Sequence, residues 1–357
     1  MSSYRKTWLE INLVNLYKNY LLAKQYSNGK EVIPVIKANA YGHGDYEVMD
    51  YLYQKGVRVC AVSLLEEAVN LRKHFDDLKI IVLGPVLKED LKTISKANLD
   101  MTIYNEEILN EVINYQDKLN VHLKIDTGMS RYGLNDEAKI IKAVETLQNL
   151  SNIDLVGIYT HLAIVDENED YLNKQLTKIE KIVKSLKKRP KMVHVSNSSA
   201  TFTKENTFDY TTHVRLGISL YGLTLNPKTP PLYPVMKLYT TIMQIHKLSK
   251  GDCVGYGASY CAKDVEYVAV LPLGYGDGFL RRNENSSVEI NNKRYNLVGR
   301  VCMDACFVLV DKDTKVNDKV TIFGGLVSID EVAKYNNTIN YEITTNMNLR
   351  VERKYIK

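Results

Sequence analysis

The segment Val32-Ile-Pro-Val-Ile-Lys37-Ala-Asn-Ala-Tyr-Gly-His-Gly44 decides between two α/β architectures. Its short, mostly β-branched apolar run predicts a buried strand over Val32–Lys37, and the residues after it predict a turn. A doubly wound open sheet usually carries a GxGxxG turn after its first strand, and this turn lacks that spacing. The segment therefore favours a closed barrel for the N-terminal part of the chain.

Seven further apolar runs follow this strand, and amphipathic stretches separate many of them. The predicted strands are Arg58–Ser63, Lys79–Leu83, Asp100–Ile103, Val121–Asp126, Leu155–His161, Met192–Ser196 and His213–Leu216. Helical periodicity is found in Asp45–Gln54, Leu65–Phe75, Glu106–Lys118, Asp136–Leu150 and Tyr171–Lys188. Eight β units alternating with helical or short connections most economically form an α/β fold of the (β/α)8 TIM-like barrel type, predicted over residues 14–226.

The prolines at positions 227, 230, 231 and 234 predict a domain boundary, since dense prolines interrupt helices and central strands. Beyond them, alternating runs between Gly, Asn and Asp turns predict a mostly β second domain over residues 235–357. Its predicted strands are Lys237–His246, Val265–Leu273, Ser287–Ile290, Arg294–Val301, Phe307–Val310 and Lys319–Phe323, with a short helix at Ile329–Lys334. Thr7–Leu13 also alternates. Its pattern fits either domain, and we expect residues 1–13 to add a strand to the β domain.

Composition excludes several classes of protein. Lys and Arg exceed Asp and Glu by 47 to 42, a net charge of +5 that is too evenly spread for a nucleic-acid-binding face. No apolar run approaches the ~20 residues that cross a bilayer, and no secretory signal opens the chain. The five cysteines show no paired spacing and the seven histidines no zinc-ligand spacing. We therefore expect a cytoplasmic enzyme with reduced thiols, no metal site, and neither nucleic-acid nor membrane partners.

Chemistry in a (β/α)8 barrel takes place at the carboxyl ends of the strands. In this chain those ends carry Lys37 with Tyr41 and His43, Asp126–Arg131, Thr160-His161, Ser196–Ser199 and Arg215–Ile218. Lys37 has two interpretations. It is either a strand-end lysine with a solvated ammonium group, or an amine with a lowered pKa that forms a Schiff base.

Ser198, Gly217 and Ile218 follow the last two strands, where barrels of this type often bind phosphate. They are otherwise ordinary loop residues. A phosphate site opposite a Schiff-base lysine indicates pyridoxal 5′-phosphate. Arg215 is then either a strand-end ion-pair residue or a charged donor to an unprotonated pyridine nitrogen. The second role would weaken the ring as an electron sink, which suits proton exchange better than transamination.

These residues occur in motifs that resemble the alanine racemase family, fold-type III enzymes that use pyridoxal phosphate. The most specific motif is Val35-Ile-Lys-Ala-Asn-Ala-Tyr-Gly-His-Gly44. The resemblance continues through the motifs His122–Arg131, Thr160-His161, Asn197-Ser198, Arg215–Ile218, Gly255–Ala258, Gly274–Asp277 and Gly299–Asp304. It therefore covers both predicted domains.

The resemblance implies an isomerase that interconverts L- and D-alanine by two-base proton transfer on the cofactor Schiff base. Lys37 would bind the cofactor and act as the base on the D-alanine face. Tyr256 of the partner subunit would be the base on the L-alanine face, in a homodimer with shared active sites. The product would be D-alanine for peptidoglycan.

The resemblance also implies binding roles for the remaining motif residues. Arg131 would contact the ring phenolate oxygen and, with the Met303 backbone amide, the substrate carboxylate. His161 would hydrogen-bond Tyr256, and Arg215 would face the ring nitrogen. The phosphate ligands would be Tyr41, Ser198, Gly217 and Ile218. Lys124 corresponds to a position that is carbamylated in many members and steadies the adjacent arginine.

One departure from the family pattern concerns substrate range. Leu349 stands where the family usually has a tyrosine that contacts the phosphate and lines the entrance, and Glu352 replaces a usual proline nearby. A racemase of broader specificity, for serine or larger side chains, is therefore an alternative. A decarboxylase on the same two-domain plan fits less well, because the Tyr256 and Met303 motifs belong to racemases. A non-catalytic pyridoxal-phosphate-binding barrel would generally lack residues 235–357.

Overall fold

The computed structural model describes residues 5–203 and 208–357, which fall into two compact units. The barrel unit comprises Tyr17–Ala40 and Asp45–Tyr233. The β unit comprises the N-terminal segment through Leu16, Tyr41–Gly44 and Pro234–Lys357. The proline-rich segment therefore lies at the junction between the two units.

The described part of the barrel unit contains one sheet of eight parallel strands. They are Glu31–Pro34, Val59–Val62, Lys79–Val82, Asp100–Ile103, Leu119–Lys124, Ile153–Tyr159, Met192–His194 and His213–Leu216. From the second strand to the last, each strand pairs with its sequence neighbour, and the last pairs with the first. Between the first two strands the ladder shrinks to a bridge at Val35 and Ala61, where the Ile36 amide donates to the Ala61 carbonyl at 2.8 Å. The predicted barrel is confirmed.

Helices connect most of the barrel strands. They span Leu13–Tyr26, Asp45–Gln54, Leu65–Arg72, Leu91–Lys96, Glu106–Ile113, Glu137–Gln148, Glu169–Ser185 and Ser198–Thr201. Asn105, Asp136 and Asn168 cap three of them, each side chain accepting a first-turn amide. The helix predicted to reach Lys118 ends at Ile113, because Asn114 forms its C-cap. No helix in residues 5–203 or 208–357 is long and apolar enough to cross a membrane.

The β unit is built from short, mostly antiparallel strands. They span Trp8–Asn12, Met236–Thr241, Gln244–Leu248, Cys253–Val254, Tyr260–Cys261, Glu266–Leu271, Ser287–Ile290, Lys293–Asn296, Cys306–Val310, Lys319–Phe323 and Glu352–Ile356. Trp8–Asn12 pairs antiparallel with Met236–Thr241 and parallel with Glu352–Ile356. The run predicted as one strand from Lys237 to His246 is two, since its second half pairs in a different sheet. Helices Ile329–Tyr335 and Asn340–Thr345 precede the last strand.

Two of the five cysteines form a disulfide, Cys253–Cys261, with a Cα–Cα distance of 4.0 Å. The prediction of five reduced thiols is wrong for this pair. The two residues lie directly opposite each other in a two-stranded hairpin. Their spacing gave no signal, because it is the hairpin register that brings them together. Cys60, Cys302 and Cys306 are free thiols.

Candidate active site

Lys37 follows the first barrel strand and begins a left-handed turn. Val35 and Ile36 before it are buried, and Lys37 itself is half-buried. Ala38–Tyr41 all have φ between 52° and 53°. Left-handed backbone costs non-glycine residues roughly 1–2 kcal/mol each, so four in succession require support from their surroundings.

Glu67 supplies part of that support and was missed in the sequence. Its Oε1 accepts the Ala38 amide at 2.6 Å, and its Oε2 accepts the Ser63 and Leu64 amides, both at 2.9 Å. One carboxylate thus joins the turn after Lys37 to the start of helix Leu65–Arg72. The only signal in the sequence was the spacing of a capping box, in which Glu67 lies three residues after Leu64, the residue that precedes the helix.

The end of the barrel that carries Lys37 also carries other cations. Burial lowers the pKa of Lys37, the charge of Arg131 lowers it further, and Glu67 opposes the change. Burial lowers the pKa of Lys124 to about 8, with further contributions from Arg131 and Arg215. No carboxylate within the described residues forms an ion pair with Lys124. Both amines therefore release their protons more readily than a solvated lysine.

Arg215 is buried and has no carboxylate ion-pair partner within the described ranges. Nη1 donates to His194 Nδ1 at 2.9 Å and to the His194 carbonyl at 2.7 Å. Nη2 donates to the carbonyls of Thr160 at 2.8 Å and Val195 at 3.2 Å, and to His161 Nδ1 at 3.4 Å. Among the described atoms, Nε–H is the guanidinium donor without a partner, so it is the one available to a ligand.

His161 is neutral in this setting. Burial lowers its pKa well below the usual value, and the charges of Arg215, Arg131 and Lys124 act in the same direction. Since an arginine can only donate, the contact from Arg215 makes Nδ1 an acceptor and leaves the ring proton on Nε2. His161 can therefore donate one hydrogen bond from Nε2.

Ser198, Gly217 and Ile218 come together at the ends of the last two barrel strands. Ser198 Oγ accepts the Gly217 amide at 2.9 Å. Ser198 and Ile218 begin the short helical segments Ser198–Thr201 and Ile218–Tyr221. Hydroxyl and amide donors are thus gathered at one point, as a phosphate site requires.

The β unit carries the other predicted residues. Tyr256 is 70% exposed, in the turn of the Cys253–Cys261 hairpin. Met303 is 53% and Leu349 78% exposed, and the Met303 amide has no acceptor within the described part of the chain. Tyr41 is buried, with its ring centroid 6.4 Å from that of Tyr341.

A buried carboxylate in the β unit was not recognised as functional in the sequence. Asp277 accepts two hydrogen bonds from Arg5, at 3.0 and 2.6 Å, one from Arg350 Nε at 2.6 Å and one from the Gly274 amide at 2.9 Å. The same turn binds the Met303 carbonyl through the Gly276 amide at 2.9 Å. Asp277 therefore supports the loop that carries Met303.

The donor set of the barrel unit fits pyridoxal phosphate. Lys37 offers an amine of lowered pKa for an aldehyde, and Ser198 with the neighbouring amides offers donors for a phosphate. Arg215 Nε–H suits an unprotonated ring nitrogen. A barrel with these groups, followed by a β unit, is the arrangement expected of the class of barrel enzymes that use pyridoxal phosphate.

Comparisons with known proteins identify the family within that class. The model of the alanine racemase N-terminal domain matches residues 11–225, and that of the C-terminal domain matches residues 235–355. An alanine racemase of Listeria monocytogenes serotype 1/2a (strain 10403S) is 38% identical, over 99% of this chain and 98% of the relative. One from Geobacillus kaustophilus is 35% identical, over 99% and 95%. This chain belongs to the alanine racemase family.

Solved structures agree with this assignment. The alanine racemase from Bacillus anthracis with bound L-Ala-P has a TM-score of 0.92 and 32% identity, covering 100% of this chain and 96% of that one. A histidine racemase from Leuconostoc mesenteroides subsp. sake has the same fold, with a TM-score of 0.90 at 24% identity over 100% of this chain and 99% of that one. The family resemblance and the two-part fold are thereby confirmed.

Proposed function

We propose that this chain interconverts L- and D-alanine with pyridoxal phosphate, using Lys37 and Tyr256 as its two bases, and that it supplies D-alanine for peptidoglycan. The observation that carries the proposal is the pair of Lys37, an amine of lowered pKa, and Arg215, a buried cation without a carboxylate. The relatives named alanine racemase support alanine as the substrate.

Bound pyridoxal phosphate would make the α-proton of an amino acid acidic. Lys37 Nζ then takes or returns that proton on one face, and Tyr256 Oη does so on the other, because racemisation requires acid–base groups on opposite faces. Arg131 binds the substrate carboxylate together with the Met303 amide. Ser198, Gly217, Ile218 and Tyr41 would hold the phosphate of the cofactor.

Arg215 and His161 adjust the charge around these bases. A guanidinium cannot accept a proton, so Arg215 Nε–H would hold the cofactor through its ring nitrogen and would keep that nitrogen unprotonated. An unprotonated ring nitrogen would limit charge delocalisation into the ring and would favour return of the proton over side reactions. His161 Nε2–H donates to Tyr256 and stabilises its deprotonated form.

Lys124 is proposed to carry a carbamate. Carbon dioxide reacts with a neutral amine, and a pKa of about 8 gives Lys124 a larger neutral fraction near pH 7 than a solvated lysine has. The carbamate would be an anion facing Arg131, whose charge already contributes to lowering the pKa of Lys124. It would fix Arg131 in place for the substrate carboxylate.

We also propose a homodimer in which residues 235–357 contribute to the partner's active site. The exposure of Tyr256, 70%, supports this, because a proton-transferring base requires a desolvated setting. Covering it with the barrel of a second subunit would provide that setting. Two such sites require a two-fold, isologous interface.

A racemase of broader substrate range is the second candidate. Leu349 stands where the family usually has a tyrosine at the entrance, and its side chain is 78% exposed. Because leucine has no hydroxyl, it cannot make that tyrosine's hydrogen bond. A larger or more polar substrate side chain would then meet less resistance. The ratio of kcat/KM for alanine to that for serine separates the two candidates.

The deciding experiment measures α-deuterium incorporation in D2O by the protein supplied with pyridoxal phosphate, with chiral analysis of the products. L-alanine, D-alanine and L-serine are the substrates, and Lys37→Ala is the control. Deuterium at Cα with formation of the opposite enantiomer of alanine is expected, and Lys37→Ala should abolish it. Exchange or decarboxylation without inversion would overturn the proposal.

A cytoplasmic location remains part of the proposal, and the disulfide makes it testable. A reducing cytoplasm keeps most thiols free. In a reducing location the Cys253–Cys261 disulfide would be open in the cell and form on oxidation after lysis, so alkylating intact cells before lysis should modify both residues. A linked pair in freshly alkylated cells would contradict a reducing location.

A further inference from the structure

A continuous chain of buried polar side chains crosses the interior of the barrel unit and ends at Arg215. From Arg215 Nη1 it passes to His194 Nδ1 at 2.9 Å, and from His194 Nε2 to His122 Nδ1 at 3.0 Å. His122 Nε2 then meets Asp100 Oδ2 at 3.1 Å, which also accepts a hydrogen bond from Lys79 Nζ at 3.1 Å. The two histidines are fully buried and Asp100 is 2% exposed, whereas the Lys79 side chain is 40% exposed.

The direction of every hydrogen bond in this chain follows from Arg215. An arginine only donates, so His194 Nδ1 accepts and its proton lies on Nε2. That proton is donated to His122 Nδ1, which places the proton of His122 on Nε2 as well. This second proton is donated to Asp100, whose carboxylate only accepts. The chain therefore contains two neutral imidazoles of fixed tautomer between one cation and one anion.

The charge states of His194 and Asp100 agree with this direction. Burial lowers the pKa of His194 well below its usual value, and the charge of Arg215 adds to the effect. Burial alone would raise the pKa of Asp100, but hydrogen bonds from His122 and Lys79 outweigh it and the pKa is lowered. His194 is thus neutral and Asp100 ionised.

The surrounding residues hold the chain in one geometry. The ring of Tyr159 stacks on that of His194, with centroids 4.6 Å apart and planes 8° from parallel. Gly157 leaves room for His122, since a Cβ at position 157 would lie 2.2 Å from His122 Nδ1. Any larger residue would displace that imidazole, so the packing specifies this arrangement.

We propose that Asp100, His122 and His194 are positioning residues that orient Arg215 and supply its counter-charge through two aligned imidazoles. Arg215 has no carboxylate partner in the described part of the barrel, so Asp100, three hydrogen bonds away, is the anion to which it is linked. Aligned hydrogen bonds polarise one another, so the negative charge of Asp100 stabilises the Arg215 guanidinium through the two imidazoles. The functional consequence rests on the proposed role of Arg215 at the cofactor ring.

The experiment records long-range 1H–15N spectra of the full-length protein labelled with 15N-histidine. Both His122 and His194 should be Nε2–H tautomers at pH 7. Asp100→Asn should move the Nε2–H proton resonance of His194 upfield, although no direct contact of His194 changes. Lys79→Met, at a half-exposed site, removes one hydrogen bond to Asp100 and should move the His194 resonance downfield. The matched control is Asp154→Asn, an exposed carboxylate at the start of a neighbouring strand, which should leave it in place.

The racemisation rate tests whether this hydrogen-bonded series affects the role of Arg215. Asp100→Asn should lower kcat roughly tenfold, and Asp154→Asn should not change it. A proton on His194 Nδ1, or a doubly protonated His194, would contradict the proposed direction of the hydrogen bonds from Arg215 to Asp100. Shifted resonances with an unchanged kcat would overturn its role toward Arg215. Absence of any racemisation by the unmodified protein would instead refute the proposed function, and the tautomers would still be measurable.

Discussion

Replacing Asp277 by asparagine should destabilise the β unit by about 2–3 kcal/mol at pH 7. Breaking a buried ion pair by removing one partner costs about 3–5 kcal/mol. The expected loss lies at or just below the bottom of that range, because the side chains of Arg5 and Arg350 are 28% and 40% exposed and water can solvate both once the carboxylate charge is lost. Unfolding in urea, followed by fluorescence of Trp8, measures this directly. Trp8 is the one tryptophan of the chain and lies in a strand of the β unit.

The pH dependence of that loss has a defined sign. Although burial alone would raise the pKa of Asp277, hydrogen bonds from Arg350, Arg5 and the Gly274 amide lower it. A group whose pKa is lowered on folding stabilises the protein above its unfolded pKa, near 4, and loses that contribution as pH falls through the folded value. The difference between the native protein and Asp277→Asn should therefore be complete at pH 7 and shrink below about pH 4.

The control for this prediction is Asp304→Asn, which also contacts Arg350 but is 66% exposed. Its cost should be below about 1 kcal/mol, the usual range for an exposed ion pair. Equal losses in the two variants, or a difference for Asp277→Asn that does not decline in acid, would refute the reasoning.

Three further predictions concern single sites. With 13C-bicarbonate, a carbamate signal should grow as pH rises from 7 to 9 through the Lys124 pKa of about 8, and Lys124→Met should remove it; a signal that persists would contradict the assignment. Gly157→Ala should cost about 3 kcal/mol in denaturant unfolding followed by circular dichroism, because its Cβ would lie 2.2 Å from His122 Nδ1; an unchanged midpoint would show that the imidazole can move. Reducing Cys253–Cys261 should lower the stability of the β unit by about 2.5 kcal/mol in the chain-entropy account, measured by Trp8 fluorescence. Two alkylated cysteines in purified protein that was exposed to air and not reduced would exclude that bond.

The barrel was predictable because its strands are short apolar runs bounded by helical periodicity. The strand His213–Leu216 was predicted to the residue, and the strand predicted as Val32–Lys37 is Glu31–Pro34. The β unit was harder to predict. The break between Met236–Thr241 and Gln244–Leu248 depends on which sheet each half joins, and that is a long-range property. The final strand, Glu352–Ile356, was missed because its side chains are mostly charged and half-exposed.

Candidate site residues followed from strand ends and motifs, whereas their supporting contacts did not. Lys37 and Arg215 were identifiable because they close apolar runs. Glu67 was not, since its partners include the Ala38 amide 29 positions away. The direction of the chain from Arg215 to Asp100 depends on strand register across the barrel, which residue types alone do not determine.

The central claim is that each active site combines Lys37 of one subunit with Tyr256 of the other. Inactive Lys37→Ala and inactive Tyr256→Phe proteins, mixed and allowed to exchange subunits, test it most directly. Each mixed dimer would contain one site with both bases and one with neither. If random exchange makes half the dimers mixed, the racemase activity should recover to roughly a quarter of the native value. No recovery, with subunit exchange demonstrated, would place both bases in one chain and contradict the shared site.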